Sequence, residues 1–189
     1  MSKFLLLLGP SGVGKSTIIE ELQRIDKRFV YISPYITRSL RVGETNKNSI
    51  SDRQMDEMEE RGEFLIINRL FGIRYATPKL PIVKALAQNN FPVLDWPINR
   101  IEIMRRAFPG RLYVVYVSPP TIEVLQQRLS KDKRDANGMR LLKAREELQT
   151  FWSSNYSGMY DFEVVSEEGK VPELAKRIYS SYLNSVNYS

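Results

Sequence analysis

A short unbroken apolar run at residues 4–8 enters a glycine-rich stretch at 9–14. A segment at 15–25 follows, with apolar residues recurring at helical spacing. That order predicts a strand buried on both faces, then a loop, then a helix. Further apolar runs at 91–94, 112–117 and 162–165 read as core strands. Segments 101–107, 121–129, 140–151 and 173–183 read as helices, with charges between their periodic apolar positions. Pro172 is well placed as the first residue of the last helix. Strands alternating with helices predict an α/β fold, a parallel sheet covered on both faces in three layers.

Residues 33–90 interrupt this rhythm with short β-like pieces at 31–36 and 64–68 around one clear helix. Ser51 and Gln54 form a capping-box pattern at the start of that helix, and Gly62 follows its last turn. The block reads as a subdomain inserted into a single-domain chain of 189 residues. Its helix carries an acidic run, residues 52–63, with six acids against two arginines, which reads as a solvated face. Residues 128–145 run the other way, with seven basic side chains against two acidic ones.

The chain contains no histidine and no cysteine, which removes Ser-His-Asp triads, thiol nucleophiles, disulfides and His- or thiolate-ligated metals. Catalysis must then use lysine, arginine, carboxylates, hydroxyls, backbone amides or a metal held by oxygen. The net charge of +6 calls for an acidic partner. No apolar run is long enough to span a bilayer, and the run at 4–8 breaks at Gly9-Pro10 without a cleavage site. We therefore expect a cytoplasmic protein without a membrane partner. The basic window lacks the interleaved aromatics of a nucleic-acid platform, so no nucleic-acid partner is expected either.

Gly9-Pro10-Ser11-Gly12-Val13-Gly14-Lys15-Ser16-Thr17 satisfies G-x-x-x-x-G-K-[ST] between a predicted strand and a predicted helix, the context this phosphate-binding loop requires. Its glycines let successive N–H groups converge on phosphate, and the helix adds its positive N-terminal end. Gly9, Ser11, Gly12, Val13, Gly14, Lys15, Ser16 and Thr17 are the expected contacts to ATP. Lys15 would pair with the β- and γ-phosphates, and Ser16 would offer Mg²⁺ a hydroxyl. Asp95, ending an apolar run, is placed to hold Mg²⁺ or its water. Arg38 and Arg41, three apart in a loop, suit a two-fork clamp on an acceptor's phosphate.

With this loop and with Thr37-Arg38-Ser39-Leu40-Arg41-Val42-Gly43-Glu44, the sequence resembles guanylate kinases. The likeness continues through Gly62-Glu63-Phe64-Leu65, Tyr75-Ala76-Thr77, Val93-Leu94-Asp95 and Ser118-Pro119-Pro120. It ends in Arg140-Leu141-Leu142-Lys143-Ala144-Arg145-Glu146-Glu147 and covers nearly the whole chain in order. The resemblance implies a P-loop core (1–32, 91–129 and 138–189), an acceptor-binding subdomain (33–90) and a short mobile lid (130–137). It also implies a phosphoryl transfer from ATP, with Mg²⁺, to a nucleoside monophosphate, GMP by default. Tyr75 would then donate to the acceptor's phosphate and Thr77 would line its pocket. Arg128, Arg134 and Arg140 would stabilise the charge that spreads over the transferring group when the lid closes.

At three base-reading positions the sequence departs from guanylate kinases. Pro34, Ile66 and Pro97 stand where the family has a serine, a glutamate and an aspartate. None of the three replaces the hydrogen bonds to a guanine edge, each worth roughly 1–3 kcal/mol. The family's late asparagine is matched by Ser166, and a Tyr-His-Phe stretch is absent between Asn46 and Ile50. Tyr35-Ile36-Thr37-Arg38 and Gly72-Ile73-Arg74-Tyr75 instead resemble ribose 1,5-bisphosphate phosphokinase. A sugar-phosphate or other non-guanine acceptor is thus the alternative. A non-catalytic scaffold of guanylate-kinase type is a further one, against which stand the retained Lys15, Ser16, Arg38, Arg41 and Arg140.

Overall fold

The computed structural model describes residues 2–70, 72–131, 138–153 and 158–187. The first apolar run forms β1 (Phe4–Leu8), at the centre of a five-stranded sheet. Its neighbours are β2 (Phe29–Tyr31), β7 (Phe91–Asp95), β8 (Leu112–Ser118) and β9 (Phe162–Val165), in the order β2-β7-β1-β8-β9. Every pairing in this sheet is parallel.

All five residues of β1 are buried because successive side chains serve opposite faces of the sheet. Leu5 and Leu7 pack with Ile18 and Leu22 of α1 (Lys15–Ile25) and with Ile178 and Tyr182 of α7 (Val171–Asn187). Phe4, Leu6 and Leu8 pack on the other face with Ile82 and Leu86 of α3 (Lys79–Ala87) and with Ile101 and Met104 of α4 (Ile101–Ala107). The expected three layers follow, and each buried leucine contributes about 1.5–3 kcal/mol. A third cluster joins Leu125 and Leu129 of α5 (Ile122–Ser130) to Ala144 and Leu148 of α6 (Met139–Ser153).

The interrupting block forms a second sheet, β4-β3-β6-β5, from β3 (Tyr35–Ile36), β4 (Asn48–Ser49), β5 (Phe64–Leu70) and β6 (Ile73–Pro78). Its helix, α2 (Asp52–Glu60), starts with both hydrogen bonds of the Ser51–Gln54 capping box in place. Strands β4 and β6 have no counterpart among the expected β-like pieces, and three further details differ from the sequence expectation. The β-like piece at 31–36 is two strands in two sheets, because Ser33-Pro34 breaks it and Tyr31 joins the core. Helix α3, unforeseen, brings the chain back against β7 before residue 91. The last helix begins at Val171, so Pro172 is its second residue, still in the first turn where no N–H is needed.

Candidate active site

The loop between β1 and α1 takes its shape from three glycines with positive φ: Gly9 at 135°, Gly12 at 85° and Gly14 at 99°. At Gly9 a side chain is also sterically excluded, since a Cβ there would collide with the Val117 carbonyl oxygen of β8. Lys15 folds back along the loop, and its Nζ donates to the carbonyls of Gly9 (2.7 Å) and Pro10 (3.0 Å). Burial pulls its pKa down, while Asp95 and Glu147 oppose that shift. Ser16 and Thr17 are exposed on the first turn of α1.

Asp95 ends β7 in register with Leu7, two residues before the loop begins, with its side chain exposed. It accepts a hydrogen bond from the Tyr31 hydroxyl (3.4 Å). Burial first, and then the Asp95 charge, push the Tyr31 pKa up, so this hydroxyl stays a donor. The Ser16 hydroxyl and the Asp95 carboxylate are hard oxygen donors, the type Mg²⁺ prefers, and they leave further positions for phosphate and water. Among the described residues no cluster of three or more carboxylates offers a competing site.

Helix α6 reaches the same loop. Arg140 donates to the Ser11 hydroxyl at 2.7 Å. Two helical turns on and on the same face, Glu147 lines a small cavity with Gly9, Pro10, Pro97, Ile98 and Tyr116. Burial pushes the Glu147 pKa up against the pull of Lys15 and Lys143. Glu147 is a site residue that the motifs leave without a role, and its spacing of seven from Arg140 is the signal in the sequence that points to it. Arg128 holds Ser166 instead, donating to its hydroxyl (3.2 Å) and its carbonyl (2.8 Å). Ser166 in turn lies against the loop, its Oγ 3.5 Å from where a Cβ on Gly14 would be. Arg134, and most of the segment expected to be a lid, lie outside the described residues.

The second sheet supplies the other half of the site. Arg38 follows β3 and forms a two-pronged ion pair with Glu44, at 2.7 and 2.8 Å. Glu44 also accepts from the Arg41 N–H (3.1 Å) and from Lys47 Nζ (2.8 Å). Arg38 holds the Glu44 carboxyl far below the usual carboxylate range. Tyr75 sits on β6 opposite Ile36, and its hydroxyl interacts with Arg38. Arg38 and Tyr75 thus meet beside the 37–44 loop, from which Arg41 presents an exposed side chain. Thr77 is buried on β6 opposite Ile66. Ile66 packs toward the core cluster that holds Ile32, Trp96 and Ile98. The Pro34 carbonyl accepts the Asn48 N–H at 2.9 Å, and Pro97 borders the Glu147 cavity.

A parallel sheet whose central strand runs through a glycine loop into α1, with Arg140 set on that loop, defines a protein of the P-loop class. The guanylate kinase family model matches residues 1–180, so the chain belongs to the guanylate kinase family. A guanylate kinase of Trichormus variabilis is 30% identical over 172 residues, covering 88% of this chain and 83% of the relative. One of Carboxydothermus hydrogenoformans is 33% identical over 146 residues, covering 74% and 71%. The crystal structure of guanylate kinase from Anaplasma phagocytophilum superposes with a TM-score of 0.74 at 20% identity, covering 97% of this chain and 85% of that one. A shikimate kinase from Acinetobacter baumannii shares the fold more distantly, with a TM-score of 0.54. Among the described residues no helix is long and apolar enough to cross a membrane.

Proposed function

We propose that the protein transfers the γ-phosphoryl group of ATP to the phosphate of GMP, giving ADP and GDP. The observations that carry this reading are the complete phosphate loop with Arg140 on it, and Arg38 beside Tyr75 with Arg41 exposed on the same loop as Arg38. The loop's N–H groups bind the β- and γ-phosphates, and Lys15 leaves the Gly9 and Pro10 carbonyls to pair with them. Ser16 and Asp95 are the residues to hold Mg²⁺, which supplies charge neutralisation between the phosphates when bound. Arg38, turning part of its fork from Glu44, joins Arg41 and Tyr75 in orienting the acceptor so that one of its phosphate oxygens lies in line with the γ-phosphorus. A bond forms there as the bond to the bridging oxygen of ADP breaks. Arg140, now on Ser11, is placed to meet the charge spreading over the transferring oxygens.

A second reading, a sugar-phosphate acceptor of the ribose 1,5-bisphosphate kind, is favoured by Ile66, whose apolar side chain turns toward the core cluster. The test of both readings is ADP release from Mg²⁺-ATP with GMP, AMP and ribose 1,5-bisphosphate in turn. Turnover with GMP is expected, and failure with every acceptor sinks both. Lys15→Ala should lower kcat by at least about a hundredfold.

A further inference from the structure

Arg74 lies on β6 next to Tyr75 and is 6% exposed. Its guanidinium faces α2, which presents Asp52, Asp56 and Glu59 at spacings of four and three along one helix face. NH1 donates to Asp56 at 2.6 Å and to Asp52 at 3.4 Å, and NH2 donates to Glu59 at 3.1 Å. The three carboxylates themselves remain 70%, 59% and 58% exposed. The acidic run expected to be a solvated face is therefore also a docking face, closed on one buried cation.

The backbone of Arg74 is tied in the other direction. Its N–H donates to Thr37 Oγ1 (3.1 Å), and its carbonyl accepts the Thr37 N–H (3.2 Å). Thr37 directly precedes Arg38, and Tyr75 directly follows Arg74. One residue thus sets the position of α2 with its side chain and the start of the arginine loop with its backbone. We propose that Arg74 is a positioning residue for acceptor binding: by clamping α2 to β6 it fixes Tyr75 and the 37–44 loop in the geometry that grips the acceptor's phosphate. This deepens the proposed function and rests on the acceptor site assigned there.

The test compares wild type with Arg74→Met, which keeps most of the apolar stem, and Arg74→Lys, which keeps the charge but not the fork. Two readouts are taken. The first is the Michaelis constant for GMP against that for Mg²⁺-ATP. The second is backbone hydrogen exchange, read separately for residues 37–44 and for β1. Arg74→Met should raise the GMP constant about tenfold with the ATP constant within about twofold. It should also speed exchange in 37–44 while leaving β1 protected. Arg74→Lys should recover part of both effects. Equal changes for both substrates, or unchanged exchange in 37–44, would overturn the proposal. Exchange needs no turnover, so a wild-type protein inactive on GMP would refute the kinase reading while Arg74 is still judged by the loop.

Discussion

Glu44 gathers four donors: both terminal nitrogens of Arg38, the Arg41 N–H and Lys47 Nζ. With its side chain only 11% exposed, the pair with Arg38 is shielded enough to matter for stability. The folded pKa lies below the unfolded one, which for glutamate is about 4.3. The stabilisation is therefore complete above that value and is lost as pH falls below it. Glu44→Gln keeps an acceptor oxygen but not the charge, and should cost about 1–2 kcal/mol at neutral pH. Urea denaturation of both proteins from pH 7 downward reads this, and the gap between them should begin to narrow below about pH 4 and shrink steadily as pH falls further. Equal stability at pH 7 would show that the ion pair contributes nothing net. The sequence placed Arg38 and Arg41 together by their spacing, but not the acid that organises them. A carboxylate's partner depends on how the loop turns, and only the trailing Glu of the Thr-Arg-x-x-Arg-x-Gly-Glu segment hinted at it.

Elements that repeat a simple period were the legible ones. The strand, loop and helix at the phosphate site follow from an apolar run, glycines and helical spacing, and they stand where expected. Helix α3 escaped because its pattern is mixed: Ile82, Ala85 and Leu86 are buried while Leu80 and Val83 are exposed, and Pro81 sits in its first turn. The tight fit of the phosphate loop against α5 was equally invisible, since it depends on residues more than a hundred positions apart. A Cβ on Gly12 would stand 2.7 Å from a terminal carbon of Leu129, at a φ of 85°. Gly12→Ala should therefore add a steric term of about 1–3 kcal/mol to the backbone cost of about 1 kcal/mol. Gly110→Ala, with a φ of 69° and open space around it, should show the backbone cost alone. Thermal denaturation separates them, at about 2–4 °C per kcal/mol for a chain of this size. Equal shifts for the two would mean that Leu129 yields freely.

At the scale of the whole molecule, the chemistry is spread over two sheets that meet through apolar contact. Leu65 and Ile66 of β5 pack toward the core cluster, as Tyr31 does from the edge strand β2. Lysine, arginine, carboxylates and hydroxyls line the site, and phosphoryl transfer requires no histidine or thiol. The +6 charge follows the same logic, since Arg140 meets the phosphate loop from α6 and Arg38 and Arg41 stand in the loop after β3. What the two sheets lack between them is a polar group at Ile66, where the cross-strand partner Thr77 is itself buried. Phosphate contacts bind every monophosphate alike, so discrimination between bases must come from other groups, and the position that resembles a base-reading glutamate holds Ile66. A pocket lacking the hydrogen-bond partners of a base separates candidates by far less than one built around them. The ratio of kcat/KM for GMP to that for AMP should therefore stay below about a hundredfold. Ile66→Gln, which adds an amide without burying a charge, should raise that ratio by about fivefold or more while lowering stability. A wild-type ratio of about ten-thousandfold would instead mean that the guanine edge is read by other groups, and an unchanged ratio in Ile66→Gln would place the acceptor's base away from β5.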